Sequence, residues 1–471
     1  MSEQEQKPVG ILEDDQTEVV TDGVHHFSSD EKWTKPEDPA ILEQLEWFRD
    51  QKLGLMMHWG IYSQIGLVES WALIDEDEEW SRNEVDWDVS SAELKQQYFD
   101  LNKSFNPLRF QPDQWADLAK ESGFKYLIFT TKHHDGYCMW DTKTTDYRVT
   151  GPESPYKDHK YADITKHVFD AFRDKGLAIA AYFSKADWHT PYYWPEGMER
   201  SEYTRRGPSY DPAQHPELWE KFVQFTHEQM MELLTDYGRI DILWLDAGWV
   251  RDGGKIPQDI RLGELVDRAR ETQPWLLSAD RTVGGAYENY ITPEQTIPEK
   301  VMDVPWESCI TLGSAFSFRY EDTYKSLREV VHILLEIVAK GGNLALNIAP
   351  QPDGRLPKGA VQTLKELGTW METYSEAIYG TRICAPYFGA GFAFTCKGNS
   401  VYAAHLYEDE NVSIHADLLI PYTDKQIHRV TLLSTGEELV YEQKDAGILV
   451  RIPSSITEEQ APPAHIFKLE Y

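Results

Sequence analysis

Polar and aromatic side chains stand at the ends of six apolar runs of the sequence, each with the length of a β-strand. Carboxyl, imidazole and guanidinium groups recur among these endings, and such groups move protons, attack electrophilic carbon and bind hydroxyl groups. In a parallel barrel the carboxyl ends of the strands meet at one face, where barrel enzymes carry out their chemistry. The sequence therefore predicts one shared pocket. The six endings are His58-Trp59, His133-His134-Asp135, Tyr182-Phe183-Ser184, Trp244 with Asp246, Asp280-Arg281 and Trp306-Glu307.

Asp246 lies in the stretch LWLDAGW, between apolar neighbours at the end of a predicted strand. A carboxylate in that setting is partly removed from water, which costs free energy unless other groups compensate. The structural alternative is an aspartate that caps the next helix, but that helix is predicted to begin only near residue 258. The position therefore favours a carboxylate that takes part in chemistry.

Hydrolysis of a glycosidic bond needs two carboxyl groups flanking one anomeric carbon. In enzymes that retain the anomeric configuration these groups stand about 5–5.5 Å apart, one as nucleophile and the other as acid and then base. The partner of Asp246 must come from another strand or loop, and separation along the chain does not fix separation in space. The residues leave four glutamates open for this role: Glu288, Glu294, Glu299 and Glu307.

The pair His133-His134 raises the question of a metal site. Adjacent residues of a strand point to opposite faces, so both histidines are not expected to bind one ion. The His-x-His pattern typical of metal-binding barrels is absent after the first strand, where only His58 stands. We therefore predict no metal and no cofactor, and histidines that hydrogen-bond to sugar hydroxyls. A serine esterase is disfavoured because the sequence has no GxSxG turn.

Apolar runs of strand length alternate with amphipathic helical patterns, which indicates a parallel sheet covered by helices. We predict an α/β fold in which a (β/α)8-like TIM barrel spans residues 41–383. A doubly wound sheet is the rival, but it requires a glycine-rich phosphate turn after the first strand, and none is present. The predicted strands cover residues 53–59, 125–136, 177–184, 240–249, 275–281, 303–309 and 343–354. The predicted helices cover residues 162–176, 216–238, 258–273, 323–342 and 360–380.

The pattern changes on both sides of the barrel. Residues 1–40 are acidic and are predicted to form a loose N-terminal arm. Residues 384–471 alternate short strands with turns, which predicts a C-terminal antiparallel β-sandwich. The expected strands of this sandwich cover residues 392–395, 400–406, 412–420, 427–434, 447–452 and 464–471.

The composition narrows the classes of partner. A net charge of −33 over 471 residues disfavours nucleic acid and anionic membranes as partners. The four cysteines show no CxxC spacing, so neither a disulfide scaffold nor a structural zinc site is expected. The N-terminus lacks the features of a signal peptide, which predicts a cytoplasmic location. No apolar run is long enough for a membrane span. A homo-oligomer is compatible with all of these features.

Several longer stretches carry a resemblance to a known family. They are GLMMHWGIYS, the block from FNPLRF to KTTDY that contains KHHDGYCMW, DILWLDAGW, TPEQ, GGNLALNIAPQPDGRLP and EAIYGTR. Together they resemble the α-L-fucosidases of glycoside hydrolase family 29, over roughly residues 40–385. The resemblance implies an exo-acting, retaining α-L-fucosidase that releases terminal L-fucose from a fucosylated oligosaccharide or glycoconjugate.

The resemblance also implies roles for individual residues. Asp246 matches the family's nucleophile. The position of the acid/base residue differs between branches of the family. The closest match to the family's pattern lies 294 − 281 = 13 residues after Arg281 and gives Glu294. Glu288 is the alternative. Phe183 stands where relatives often carry tyrosine or histidine. The residues implied for substrate binding are His58, Glu69, Trp71, His133, His134, Trp140, Arg281 and Phe318.

Two other functions stay open on the sequence alone. One is a related barrel glycosidase for another sugar, such as a galactoside that differs by a hydroxyl at C6. The other is a catalytically inactive homologue that binds carbohydrate. Comparing the cleavage of a chromogenic fucoside with that of a chromogenic galactoside distinguishes the fucosidase, the glycosidase for another sugar and the inactive homologue.

Overall fold

The structure is a computed structural model. It describes residues 20–21, 24–25, 27–75, 78–82, 89–198, 206–253, 256–407, 414–456 and 461–471. Most of the predicted N-terminal arm and the start of the strand predicted at 412–420 lie outside these ranges. A short hairpin pairs Val20–Thr21 with Val24–His25. Among the residues that follow, Trp33 donates its indole N–H to Asn289 O at 2.9 Å, so this part of the predicted arm packs on the barrel.

Seven parallel strands form the central sheet, in the spatial order β5-β4-β3-β2-β1-β7-β6. Nearly every residue of these strands is buried, as expected for a sheet covered on both faces. The strands are β1 (Leu53–Met57), β2 (Tyr126–Lys132), β3 (Ala178–Ser184), β4 (Ile242–Asp246), β5 (Leu277–Asp280), β6 (Glu307–Thr311) and β7 (Asn343–Ile348).

Helices cover the outside of the sheet, and their ends follow local sequence signals. Ser326 and Glu329 form a capping box at the start of one helix. Arg261 has a left-handed φ of 52°, so the helix predicted from residue 258 begins only after it. No helix in the described ranges has the length and apolar character needed to cross a membrane. The helices are α1 (Pro39–Gln51), α2 (Glu78–Ser81), α3 (Ser91–Phe99), α4 (Pro112–Glu121), α5 (Ile164–Asp174), α6 (Pro216–Asp236), α7 (Leu262–Arg270), α8 (Leu327–Ala339) and α9 (Lys358–Tyr374).

Alternation along the strands separates two apolar layers. Leu243 and Leu245 of β4 pack in the outer layer beneath the helices, whereas Ile242 and Trp244 point into the barrel. Helix α1 contributes Phe48 to the interior layer and thereby fills the end of the barrel opposite the strand C-termini. The same alternation directs Asp246, two residues beyond Trp244, towards the interior.

The eighth position of the barrel is held by an irregular segment, residues 287–295, rather than by a strand. On one side Asn289 N donates to Ser278 O of β5 at 2.8 Å. On the other side Gln295 N donates to Cys309 O of β6 at 2.9 Å. Isolated bridges, among them the pair Glu294 and Cys309, complete the closure. The predicted barrel-type α/β fold is confirmed, with seven strands and one irregular closing segment.

Two antiparallel sheets follow the barrel, one with the order β8-β9-β10-β16-β12-β13 and one with the order β11-β15-β14. Val401 and Ala403 of the larger sheet face the smaller sheet, whereas Tyr402 and Ala404 face the barrel, where helix α8 packs. The larger sheet therefore joins the sandwich to the barrel. The strands are β8 (Arg382–Gly389), β9 (Phe392–Lys397), β10 (Ser400–Leu406), β11 (Asp417–Ile420), β12 (Arg429–Leu432), β13 (Glu437–Glu438), β14 (Tyr441–Lys444), β15 (Gly447–Arg451) and β16 (Ala464–Glu470).

Candidate active site

A cavity opens at the C-terminal ends of the strands, where the sequence predicts the shared pocket. It collects side chains from the ends of β1, β3, β4 and β6 and from the loops after β1, β2, β4, β5 and β6. Seven of the predicted site residues line it: His58, Glu69, Trp71, His133, Asp246, Arg281 and Glu294. The lining also includes Met56, Tyr182, Trp244, Gly248, Trp249, Thr282, Cys309 and Phe316.

Two carboxyl groups share one guanidinium at the centre of the cavity. Arg281 Nη1 donates to Asp246 Oδ1 at 2.8 Å, and Arg281 Nη2 donates to Glu294 Oε2. Burial alone would raise the pKa of Asp246, but the positive charge of Arg281, the neighbouring His134 and His133 and the hydrogen bond from Tyr182 together outweigh burial and hold that pKa well below its ordinary value. Asp246 is therefore an ionised carboxylate at neutral pH, and Glu294 lies across the guanidinium from it.

Tyr182 and Trp244 contact Asp246 and Arg281 from inside the barrel, although neither was predicted to bind substrate. The Tyr182 hydroxyl donates to Asp246 Oδ2. The Tyr182 ring stacks on Trp244 at 5.1 Å, and Arg281 lies 4.5 Å from the centre of the same indole. Strand alternation could have identified both, since Tyr182 shares a face with Ser184, and Trp244 with Asp246. Phe183 points outward instead, under the ammonium of Lys132 at 4.3 Å.

His58 follows β1 and is fixed by a hydrogen bond. Asn347 donates its side-chain N–H to Phe316 O at 2.8 Å, so its Oδ1 is the atom that accepts from His58 Nδ1 at 2.7 Å. Burial lowers the pKa of His58 to about 4, which keeps the ring neutral at neutral pH. The other ring nitrogen, Nε2, is then a hydrogen-bond acceptor for a sugar hydroxyl.

His133 and His134 both approach Asp246, contrary to the expectation that they point to opposite faces. Strand β2 ends at Lys132, so the pair lies in the following turn, where strand alternation does not apply. The two rings are 4.2 Å apart. His133 lines the cavity and shares a hydrogen bond with Ser70 at 2.5 Å, whereas His134 lies behind it with Nε2 3.8 Å from Asp246 Oδ2.

These two histidines and Asp246 could hold a metal ion, because each offers a ligand atom and the atoms lie within 4.8 Å of one another. Both oxygens of Asp246 already accept hydrogen bonds from Arg281 and Tyr182. An ion would compete with these donors for the charge of Asp246 and would place a second positive charge beside the guanidinium. The arrangement favours a carboxylate held for reaction with carbon, and the absence of a metal stays a prediction.

Glu69 is a buried carboxyl group on the loop after β1. Its backbone has a left-handed φ of 35°, and its amide donates to Ser317 Oγ at 3.3 Å. Oε1 is buried and accepts no hydrogen bond from the described residues. Burial raises the pKa of Glu69 from 4.5 to about 8, so the group is mostly protonated at neutral pH. A protonated carboxyl group can both donate to and accept from the hydroxyls of a bound sugar.

We expect kcat/KM to fall as the pH rises through about 8, because Glu69 then loses its proton and becomes a buried anion beside Glu294. The variant Glu69→Gln keeps the shape and an N–H donor but cannot titrate. Its pH profile is expected to be flat over the same range, with a lower maximum. The measurement is kcat/KM on an aryl fucoside, the substrate type that the resemblance implies, from pH 5 to about 10 for both proteins. An unchanged alkaline fall in Glu69→Gln would assign it to another group.

Glu288, the alternative acid/base, lies outside the cavity. Its carboxylate accepts from Ser28 Oγ at 2.7 Å, from Thr282 N at 3.2 Å and from Gly284 N at 2.5 Å. These bonds tie the loop after β5 to the N-terminal segment. Of the two candidates only Glu294 lines the cavity, so position favours Glu294, and the acid/base assignment stays a prediction.

The two other glutamates that the sequence allowed as acid/base candidates also lie outside the cavity that contains Asp246. Glu299 is exposed. Glu307 is buried inside the barrel, where it accepts from Trp244 Nε1 at 3.0 Å and from the Tyr126 hydroxyl. Burial raises the pKa of Glu307 to about 7. It supports the indole on which Arg281 rests and does not line the cavity.

Two aromatic residues assigned from the resemblance lie elsewhere. Trp140 is buried against helix α6, where its indole donates to Glu232 at 3.0 Å, so it cannot form a wall of the cavity. Phe318 packs against Tyr320 on the far side of the loop after β6. Phe316, two residues earlier in that loop, lines the cavity instead, 4.9 Å from the ring of His58.

Comparisons with known proteins identify alpha-L-fucosidases as similar in sequence and in fold. The sequence model of the alpha-L-fucosidase family matches residues 24–376. Alpha-L-fucosidase isoenzyme 1 from Paenibacillus thiaminolyticus is 27% identical with a TM-score of 0.74, over 92% of this chain and 99% of that chain. The alpha-fucosidase of Thermotoga maritima, solved in complex with fucose, is 26% identical with a TM-score of 0.73, over 94% of this chain and 98% of that chain.

A relative from Dictyostelium discoideum named alpha-L-fucosidase is 24% identical over 451 residues, which cover 90% of this chain and 92% of that protein. The family model spans well over half of the chain and includes every residue that lines the cavity. The chain therefore belongs to the alpha-L-fucosidase family, whose members are glycoside hydrolases.

Proposed function

We propose that the chain releases terminal L-fucose from fucosylated glycans with retention of the anomeric configuration. The observation that carries this proposal is the pair of carboxyl groups, Asp246 and Glu294, on the two terminal nitrogens of Arg281. A shared guanidinium limits how far apart two carboxyl groups can be. This supports the separation of about 5–5.5 Å used by retaining enzymes over the 6.5–9.5 Å used by inverting ones.

In the first step Asp246 attacks the anomeric carbon and forms a covalent fucosyl-enzyme. Its depressed pKa keeps it ionised for this attack. Glu294 gives a proton to the departing oxygen, so that the leaving group departs as an alcohol. In the second step Glu294 removes a proton from water, which attacks the same carbon and releases Asp246. Arg281 stays bound to both carboxyl groups and stabilises whichever of them is negatively charged, Asp246 before the attack and Glu294 in the intermediate.

The lining of the cavity supports fucose as the sugar. Met56, Cys309 and Phe316 provide an apolar wall suited to the C6 methyl group. His58 and Glu69 provide acceptors and donors for hydroxyl groups. A galactoside would bring a hydroxyl at C6 to the apolar wall, and an unpaired buried hydroxyl costs about 1–3 kcal/mol.

Proton NMR of an aryl α-L-fucoside during hydrolysis tests the proposal. The expected first-formed sugar is the α anomer of fucose, which then equilibrates with the β anomer. A first-formed β anomer would exclude the covalent intermediate. The matching galactoside serves as the control and is expected to react at least about tenfold more slowly. Preference for the galactoside would support the glycosidase for another sugar, and no hydrolysis of either would support the inactive homologue.

A further inference from the structure

A second depression lies on the other side of the loop after β6, between that loop and the loop after β7. We call it the outer groove. Its volume of about 580 Å³ is in the range of sites for small molecules. Phe318, Tyr320 and Tyr324 line it from the first loop, and Gln351 and Arg355 line it from the second. None of these side chains takes part in the proposed chemistry.

Tyr320 presents an open aromatic face in this groove. It is 67% exposed, an unusual setting for a large aromatic side chain. Its position is nevertheless fixed: the hydroxyl donates to Gln64 O at 2.8 Å, and the ring packs edge to face against Phe318 at 5.0 Å. The ring also lies close to Gly66, where an added Cβ would come within 3.1 Å of Tyr320 Cδ2. A fixed, open aromatic face is a surface on which the C–H face of a sugar ring can stack.

The charges around Tyr320 are nearly balanced. Arg319, Arg355 and Lys358 give three positive charges, and Asp322 and Asp353 give two negative charges, so the net charge is 3 − 2 = +1. The whole chain carries −33. Arg355 and Asp353 also pair with each other at 2.7 Å. A lining with both donors and acceptors and little net charge suits a neutral ligand rich in hydroxyl groups.

The catalytic cavity is too small for more than the terminal sugar. Its volume is about 60 Å³, which corresponds to roughly four to six water molecules by the same measure. The rest of an oligosaccharide must therefore lie outside it. The loop after β6 connects the two sites, since Phe316 lines the cavity and Tyr320, four residues later, lies in the groove. A chain of four residues spans at most about 14 Å.

We infer that the outer groove binds the neutral sugar units that follow the fucose in an oligosaccharide substrate, with Tyr320 as the stacking platform. This inference rests on the proposed function, because it assigns the groove to the leaving-group side of the same substrate. The groove would raise affinity for longer glycans and would contribute nothing to the cleavage of an aryl fucoside.

The test compares kcat/KM on an aryl fucoside with kcat/KM on a neutral fucosylated oligosaccharide of five or more sugars. Tyr320→Ala is expected to lower the value for the oligosaccharide about tenfold, mainly through KM, and to leave the aryl fucoside unchanged. Tyr320→Phe keeps the ring and is expected to retain activity on the oligosaccharide. Tyr387→Ala is the matched control, since Tyr387 is also exposed, at 37%, but lies on strand β8 of the sandwich.

An equal loss on both substrates in Tyr320→Ala would overturn the inference, because it would mean that the substitution disturbs the cavity. No loss on either substrate would overturn it as well. Failure of the wild-type protein to cleave the aryl fucoside would instead contradict the proposed function. In that case titration calorimetry with the defucosylated oligosaccharide still tests the groove, and equal binding by wild type and Tyr320→Ala would reject it.

Discussion

Replacing Asp246 with glycine is expected to lower kcat on an aryl fucoside by at least about 10³-fold, because the covalent intermediate can no longer form. The neighbouring groups stay in place, since Arg281 keeps its ion pair with Glu294. The space left by the carboxylate faces the anomeric carbon. Added azide is therefore expected to restore turnover by attacking from the side of residue 246, which yields fucosyl azide of inverted configuration.

The variant Asp246→Asn separates loss of the nucleophile from loss of structure. It keeps the size of the side chain and a hydrogen-bond acceptor for Arg281, and it should be equally inactive without rescue by azide. Its thermal unfolding is expected to start at a lower temperature, because the buried guanidinium loses the negative charge of Asp246. Activity of either variant within about tenfold of wild type would refute the role of Asp246.

Replacing Glu294 with glutamine is expected to lower kcat/KM by about 10²–10⁴-fold on a fucosyl disaccharide, whose alcohol leaving group requires protonation. A dinitrophenyl fucoside departs without a proton, so its first step should be nearly unaffected. Its second step still needs a base to activate water. The fucosyl-enzyme is therefore expected to accumulate, with a burst of dinitrophenol and an adduct on Asp246 detectable by peptide mass spectrometry.

Glu288→Gln is the matched control for this prediction. The carboxylate of Glu288 accepts three hydrogen bonds near the same loop. Glutamine has an NH2 group in place of one carboxylate oxygen, and this group cannot accept a hydrogen bond, so at least one of the three is lost. We expect a loss of thermal stability with a similar effect on every substrate. If Glu288→Gln instead shows the dependence on the leaving group, or if Glu294→Gln slows both substrates by the same factor, the acid/base assignment fails.

The sequence predicts the barrel and the position of Asp246 for the same physical reason. Strand periodicity is local, so the run that ends in LWLDAGW indicates both a buried strand and the inward direction of its last carboxylate. Applied to the neighbouring strand, the same rule would have placed Tyr182 inside and Phe183 outside. The resemblance directed attention to Phe183, whereas the alternation of the strand carries the stronger physical information.

The features that the sequence did not predict arise where the chain leaves regular structure. His133 and His134 both approach Asp246 because they lie in a turn, to which strand alternation does not apply. Phe316 rather than Phe318 lines the cavity because the loop after β6 sets their directions through contacts far apart in sequence, such as the bond from Asn347 to Phe316 O. The domain boundaries and the cytoplasmic location stay predictions.

The irregular closing segment has a consequence for how such an enzyme can change. Inserting one residue into a regular strand turns every following side chain to the opposite face, so Asp246 cannot move without disrupting its neighbours. Residues 287–295 belong to no regular strand and are joined to the adjacent strands by isolated bridges, so a longer or shorter chain can be absorbed in the turns on either side of this segment. Glu294, the proposed proton donor, is thus the residue whose position can change most easily. Grafted loops of different length could present it at a new angle while the rest of the barrel keeps its register.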